Sequence, residues 1–290
     1  MKNRTGYPLV GLRIWPFVTS VGIGSIAFRF INFLHEGSFF WVWISMAFII
    51  ICLRAWWSDV IYEGTYQGRH TMLVRQLFRL GLKMFILSEA FFFVRFFWAW
   101  FNRGNGESIY SETPGWPPRG ITPIKFWKEP LYNLAILITS GVTANIRQCY
   151  IKLYNSVWFG GCFTNKFRVY RINGLKWIGV RIILGCVFIY IQYCEYHALP
   201  YRINNGVFSS CFFVLTGFHA SHVVVGTVAL CVVWVRLFLC HFSKGQDIWF
   251  VKAAVWYWHF VDVVWIFVIL FVYVWPCYIG KVVGLLQKIF

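Results

Sequence analysis

GVFSSCFFVLTGFHASHVVVGTVALCVVWVRLFL, residues 206–239, holds one charged residue, Arg236, near its end. The run is longer than the about 20 helical residues that cross a bilayer core about 30 Å thick. It lacks the polar–apolar alternation of a barrel strand, so it reads as a membrane helix. Six further apolar stretches run at about 15–34, 38–57, 78–101, 130–151, 174–194 and 250–280. The whole 290-residue chain is 59% hydrophobic, 22% aromatic and only 13% charged, against about 25% charged in a soluble domain. The expected architecture is all-α: a polytopic membrane protein of seven transmembrane helices in one domain, 1–290. Helices 1–2 occupy about 15–57 and helices 3–7 about 78–280.

The formal charge is +17. A nucleic-acid binder gathers such charge on a patch or stripe. Here Lys and Arg flank the apolar runs, so no nucleic-acid partner is expected. About 16 of them fall on the N-terminal side of seven spans and about eight on the other, which places the N-terminus inside. The nine cysteines show no C-x-x-C spacing and read as small buried hydrophobes. In the opening MKNRTGYPLVGLR there is no cleavage pattern, and Gly6, Pro8 and Gly11 interrupt any amphipathic transit helix. The first span is expected to insert uncleaved. VWFGGCF, 157–163, is too short to span and reads as a loop or interfacial piece.

Ionisable groups inside such runs are costly, so each one is a functional candidate. In FILSEAFFFVRFF, 85–97, Glu89 lies among Phe, Ile, Leu and Val. Lys83 and Arg95 are each six residues away, roughly 120° off its helix face, so neither pairs with it along the helix. A carboxyl in hydrocarbon with no cation beside it is expected to be protonated. It is then either a proton-exchanging group or a neutral acid bonded to Ser or backbone.

His219 and His222 share a helix face, which suits either two metal ligands or hydrogen-bonding bridges between helices; the spacing lacks a third ligand, and bridging is favoured. His259 and Asp262 share a face likewise and are read as a polar bridge. Glu63, Arg69 and His70, after Trp56 and Trp57, suit either a phospholipid headgroup or a solvated loop. Glu195 and His197 end the fifth run and read as an interfacial cap.

Five stretches together resemble subunit III of the haem–copper cytochrome c oxidases. They are WWSDVIYEGTYQGRHT (56–71), SEAFFFVRFFWAWF (88–101), GWPPRGITPIKFWKEPLYNLAILITSGVT (115–143), GFHASHVVVGT (217–227) and AAVWYWHFVDVVWIF (253–267). They occur in the family's order and cover most of the chain. The resemblance implies seven transmembrane helices, the first two splayed from a five-helix bundle by a lipid-filled V-shaped cleft. It implies no catalytic residue and no metal in this chain, with haem a and copper in partner subunits.

It also implies a non-catalytic core subunit of the proton-pumping aa3-type oxidase, complex IV of the respiratory chain. Such a subunit stabilises subunit I, holds phospholipids and supports proton uptake while electrons pass from cytochrome c to oxygen. Partners would be subunit I, then subunit II and lineage-specific accessory subunits, in the mitochondrial inner membrane. The N-terminus would lie in the matrix and the C-terminus in the intermembrane space.

By the same resemblance, Glu89 matches the family's buried carboxylate, which reacts with a carbodiimide. Trp57, Glu63, His70, Phe85 and Arg236 match positions that line the cleft or anchor its lipid headgroups. His219, His222, His259 and Asp262 match signatures of helices six and seven. Several features depart from the pattern. Arg95 replaces a small residue, Ser58 and Tyr62 stand where arginine is common, the stretch 147–175 is longer, and the chain continues past Trp275. The insertion and tail are expected to meet accessory subunits. Subunit III of a quinol oxidase would share this fold, because the donor binds elsewhere. A proton-coupled transporter using Glu89 and the histidines is the reading from another class, although no inverted repeat is visible.

Overall fold

A computed structural model describes residue 7 and residues 11–105, 116–118, 121–122, 124–142, 165–242 and 248–278. The 157–163 loop, most of the insertion and the end of the chain lie outside these residues, as does much of the 104–123 connection. The described residues form seven helices and no strand. They are α1 Trp15–Glu36, α2 Phe40–Thr65, α3 Met72–Asn105, α4 Glu129–Val142, α5 Asn165–Ala198, α6 Val207–Phe238 and α7 Ile248–Val268. A π-helical segment, Ile269–Val274, continues α7. Five stretches are long and apolar enough to cross a membrane: Trp15–Phe33, Phe40–Thr65, Arg171–Ala198, Val207–Phe238 and Trp249–Tyr278. Of the other two helices, α3 carries Lys83, Glu89 and Arg95 along its 34 residues, and α4 is described for 14.

The helices outrun the apolar runs. The fall in hydropathy after Trp57 does not end α2, which continues through Ser58, Asp59 and Glu63 to Thr65. Glu63 therefore sits on a helix rather than on the loop expected from sequence. Polar residues are tolerated in a helix; ending one takes a backbone reason. Gly37 supplies such a reason after α1. Its φ of 72° is left-handed and its N–H bonds the Phe33 carbonyl, closing the helix.

Two compact units divide the chain, Met1–Phe78 and Arg79–Phe290. In the first, α1 packs on α2 with the hydroxyls of Ser25 and Ser45 3.1 Å apart. The Trp15 indole donates to Asp59 at 2.7 Å. Arg29 lies 4.6 Å over the Trp41 ring, so this span's cation meets an aromatic face.

α6 runs through the core of the second unit. Its buried positions Phe208, Phe212, Leu215, His219, Val223, Gly226, Leu230 and Val233 recur every three or four residues, one stripe of a helix. Hydroxyls inside the apolar helices bond their own backbone: Thr216 to Phe212, Thr227 to Val223 and Ser140 to Leu137. Trp258 is fully buried, with Gly185 of α5 and Gly226 of α6 against its ring. A Cβ added at Gly185 would stand 2.8 Å from its ring, closer than a side chain tolerates without a shift, and one at Gly226 would stand 3.1 Å away, tighter than ordinary contact. The indole N–H donates to Ser140 at 3.0 Å.

Pro276 stands just after the π-helical segment. Trp275 N–H bonds the Leu270 carbonyl, five residues back. Pro276, next in that register, has no N–H to offer Phe271. The Phe271 carbonyl takes the Trp100 indole N–H instead, at 2.9 Å, which ties α3 to the end of α7.

A cross-helix carboxyl–imidazole pair

Glu89 faces a partner that its own helix could not provide. The Glu89 carboxyl lies 2.8 Å from His222 Nε2 on α6, with the two side chains 23% and 13% exposed. The partner is neither the Ser nor the backbone group expected from sequence: helix-face arithmetic covers residues on one helix, and His222 comes from another. On the far side of the ring, Nδ1 lies 2.7 Å from the Phe218 carbonyl. A carbonyl only accepts, so Nδ1 carries a proton. Nε2 then shares a single proton with Glu89, as carboxyl and neutral imidazole or as carboxylate and imidazolium. Phe93 and Tyr257 flank the imidazole at 5.1 and 6.4 Å, and Phe85 stacks on Tyr257.

His219 serves a different partner. Fully buried, its Nε2 lies 3.2 Å from the Val261 carbonyl, and its ring packs on Trp265 at 4.7 Å. The two imidazoles thus bridge α6 to α7 and to α3 separately. His259 Nδ1 lies 3.5 Å from Asp262, with His259 about half exposed and Asp262 largely covered. Arg181, 2% exposed inside α5, is within electrostatic reach of Asp262. Sequence reading passed over Arg181, although a cation inside the 174–194 run was a usable signal. Arg95 lies on the exposed face of α3 with Val94 and Trp98, away from the core. Among the described residues no three His, Cys, Asp or Glu side chains converge as a metal site.

In the first unit, Glu63 is held by Arg13 and accepts from Arg69 at 3.4 Å. Arg69 stays about half exposed, and Trp57 is 54% exposed. His70 is buried, edge-on to Phe78. In the second unit Phe85 is 47% exposed, whereas Arg236 is covered, its guanidinium over the rings of Phe242 and Phe250.

Glu195 is not an interfacial cap. It is 3% exposed and accepts the Tyr273 hydroxyl proton at 2.8 Å. Beside it, on the connection after α5, burial and the Glu195 charge push the Tyr201 hydroxyl above the ordinary tyrosine range.

A helical membrane bundle with a carboxyl–imidazole pair joining two of its helices, and buried arginine and histidine elsewhere, defines a polytopic protein with internal ionisable sites. Its family is named by comparison. The family model for cytochrome c oxidase subunit III matches residues 5–277, and the chain belongs to that family. It is 38% identical to cytochrome c oxidase subunit 3 of Lumbricus terrestris, over 94% of this chain and 98% of that protein. Identity is 36% to the Xenopus laevis protein of the same name, over 93% and 96%, and 36% to that of Osphranter robustus, over 95% and 99%.

Proposed function

We propose that this chain is the non-catalytic core subunit III of an aa3-type cytochrome c oxidase in the mitochondrial inner membrane. Family membership over nearly the whole chain supports the assembly, and the Glu89–His222 contact is the observation that carries the local role. Haem a and copper lie in partner subunits, where electrons pass from cytochrome c to oxygen. This chain stabilises subunit I, meets subunit II and accessory subunits, and supports proton uptake. Its N-terminus faces the matrix and its C-terminus the intermembrane space, as the distribution of Lys and Arg suggests.

Within this reading Glu89 and His222 hold one proton between two helices. His219, His259 and Asp262 tie helices together through polar contacts. Trp57, Glu63, His70, Phe85 and Arg236 are the lipid-binding set. Trp57 and Phe85 offer exposed rings to acyl chains. Arg69, steered by Glu63 and half exposed, is the donor that suits a phosphate. The covered Arg236 acts by holding its own surroundings in place. Arg69→Ala is therefore expected to lower the phospholipid copurifying with the complex, measured by lipid mass spectrometry, and Glu89→Gln to leave it unchanged.

The assignment is tested by purifying the tagged chain in mild detergent and recording a visible spectrum. Haem a absorption with copurifying subunits, and turnover on reduced cytochrome c, support it. Turnover on a quinol alone would move the assignment to a quinol oxidase, and a colourless lone protein would move it to a transporter.

A further inference from the structure

At the C-terminal end of α5 lies a second polar site, separate from the Glu89–His222 pair. Glu195, Gln192 and Tyr201 are 3%, 2% and 4% exposed. Tyr273 donates to one Glu195 oxygen, and the other, Oε2, has no partner among the described residues. Among the described residues neither amide atom of Gln192 is paired, nor is the Tyr201 hydroxyl. Gln192 lies beside the Tyr273 hydroxyl without hydrogen-bond geometry to it. Tyr201 and Tyr273 both pack edge-on to the Phe212 ring, with centres 5.9 and 5.6 Å apart, and Glu195 is within electrostatic reach of Tyr201.

Two further observations mark the region as built. Tyr273 projects from the π-helical segment, a rare turn that recurs at functional sites. α4 packs against both α5 and this segment, and its Asn133, fully buried, has neither amide atom paired among the described residues. Glu129, at the start of α4, adds a second acid within electrostatic reach of Glu195.

Buried amides, hydroxyls and carboxylates are almost always hydrogen-bonded. Here the unpaired set combines a carboxylate acceptor, an amide with both functions and a hydroxyl with both functions. That is the two to four partners an internal water requires. We propose that Glu195, Gln192, Tyr201 and Tyr273 form a binding site for ordered water inside the bundle, through which Glu195 exchanges its protons with solvent. The site lies wholly within this chain and does not depend on the oxidase assignment.

The test uses the purified protein with whatever subunits accompany it. A cryo-EM map resolving water is expected to show density bridging Glu195 Oε2 to Gln192 or Tyr201. Infrared spectra after transfer to ²H₂O give the second readout. A carboxyl or carboxylate band that is lost in Glu195→Gln is expected to shift on exchange, and Tyr273→Phe to move that same band. If Glu195→Gln fails to assemble, the band displaced by Tyr273→Phe identifies Glu195. A partner side chain or lipid headgroup filling the site would overturn the proposal. So would side chains closed on one another without water, or a Glu195 band that stays unshifted after prolonged exchange.

Discussion

Glu89→Gln is expected to abolish carbodiimide labelling of this chain while leaving its assembly with partner subunits intact. The reagent requires a carboxyl that can present a proton, and the amide removes that chemistry with little change of shape. Gln can still donate to Nε2 of a neutral His222, so the bridge between α3 and α6 survives the substitution. His222→Leu is the complementary change. It leaves the Glu89 carboxyl without its partner and removes a bridge worth roughly 0.6–2 kcal/mol in a membrane setting. Labelling should persist in His222→Leu at an altered rate, and the double variant should be unlabelled. Full-strength labelling of Glu89→Gln would show that another carboxyl is the reactive group.

Trp258→Ala is expected to cost about 3–5 kcal/mol of stability, the range for emptying a fully buried aromatic site. The indole is seated against two glycines, so the backbones of α5 and α6 already stand close to the ring on these sides. The cavity cannot be filled by small shifts of flexible side chains there, which puts the cost toward the upper part of the range. Ser140 loses the indole donor but keeps its bond to Leu137. Thermal release of the subunit from the purified complex should therefore occur at a markedly lower temperature, with the spectrum of the remaining subunits unchanged. Gly185→Val should act in the same direction by pressing on the same ring. A Trp258→Ala complex that withstands heat like the parent would mean that the helices close over the gap.

The order of the seven described helices was legible because an apolar run marks each of them, and five of them hold a stretch long and apolar enough to cross a membrane. Helix ends were not legible. α2 passes eight residues beyond Trp57 to Thr65, since losing apolar character is not the same as losing helical hydrogen bonds. Glu89 stood out for its cost, but its partner lies 133 residues away in sequence, and no rule of spacing connects them. What the sequence offered was weaker: an acid in the third apolar run and two histidines on one face of the sixth, each needing a partner. Glu195 was misread for the opposite reason. Its position at the end of an apolar run suggested an interface, whereas it is buried and bonded by Tyr273, far along the chain.

The bond from Trp100 to the Phe271 carbonyl sets different evolutionary freedoms at its two ends. Every residue type supplies a carbonyl, so position 271 can change its side chain without touching this attachment. Position 100 has no such latitude. A phenylalanine there would occupy much of the same volume yet bring no donor, stranding the oxygen that Pro276 left without an amide.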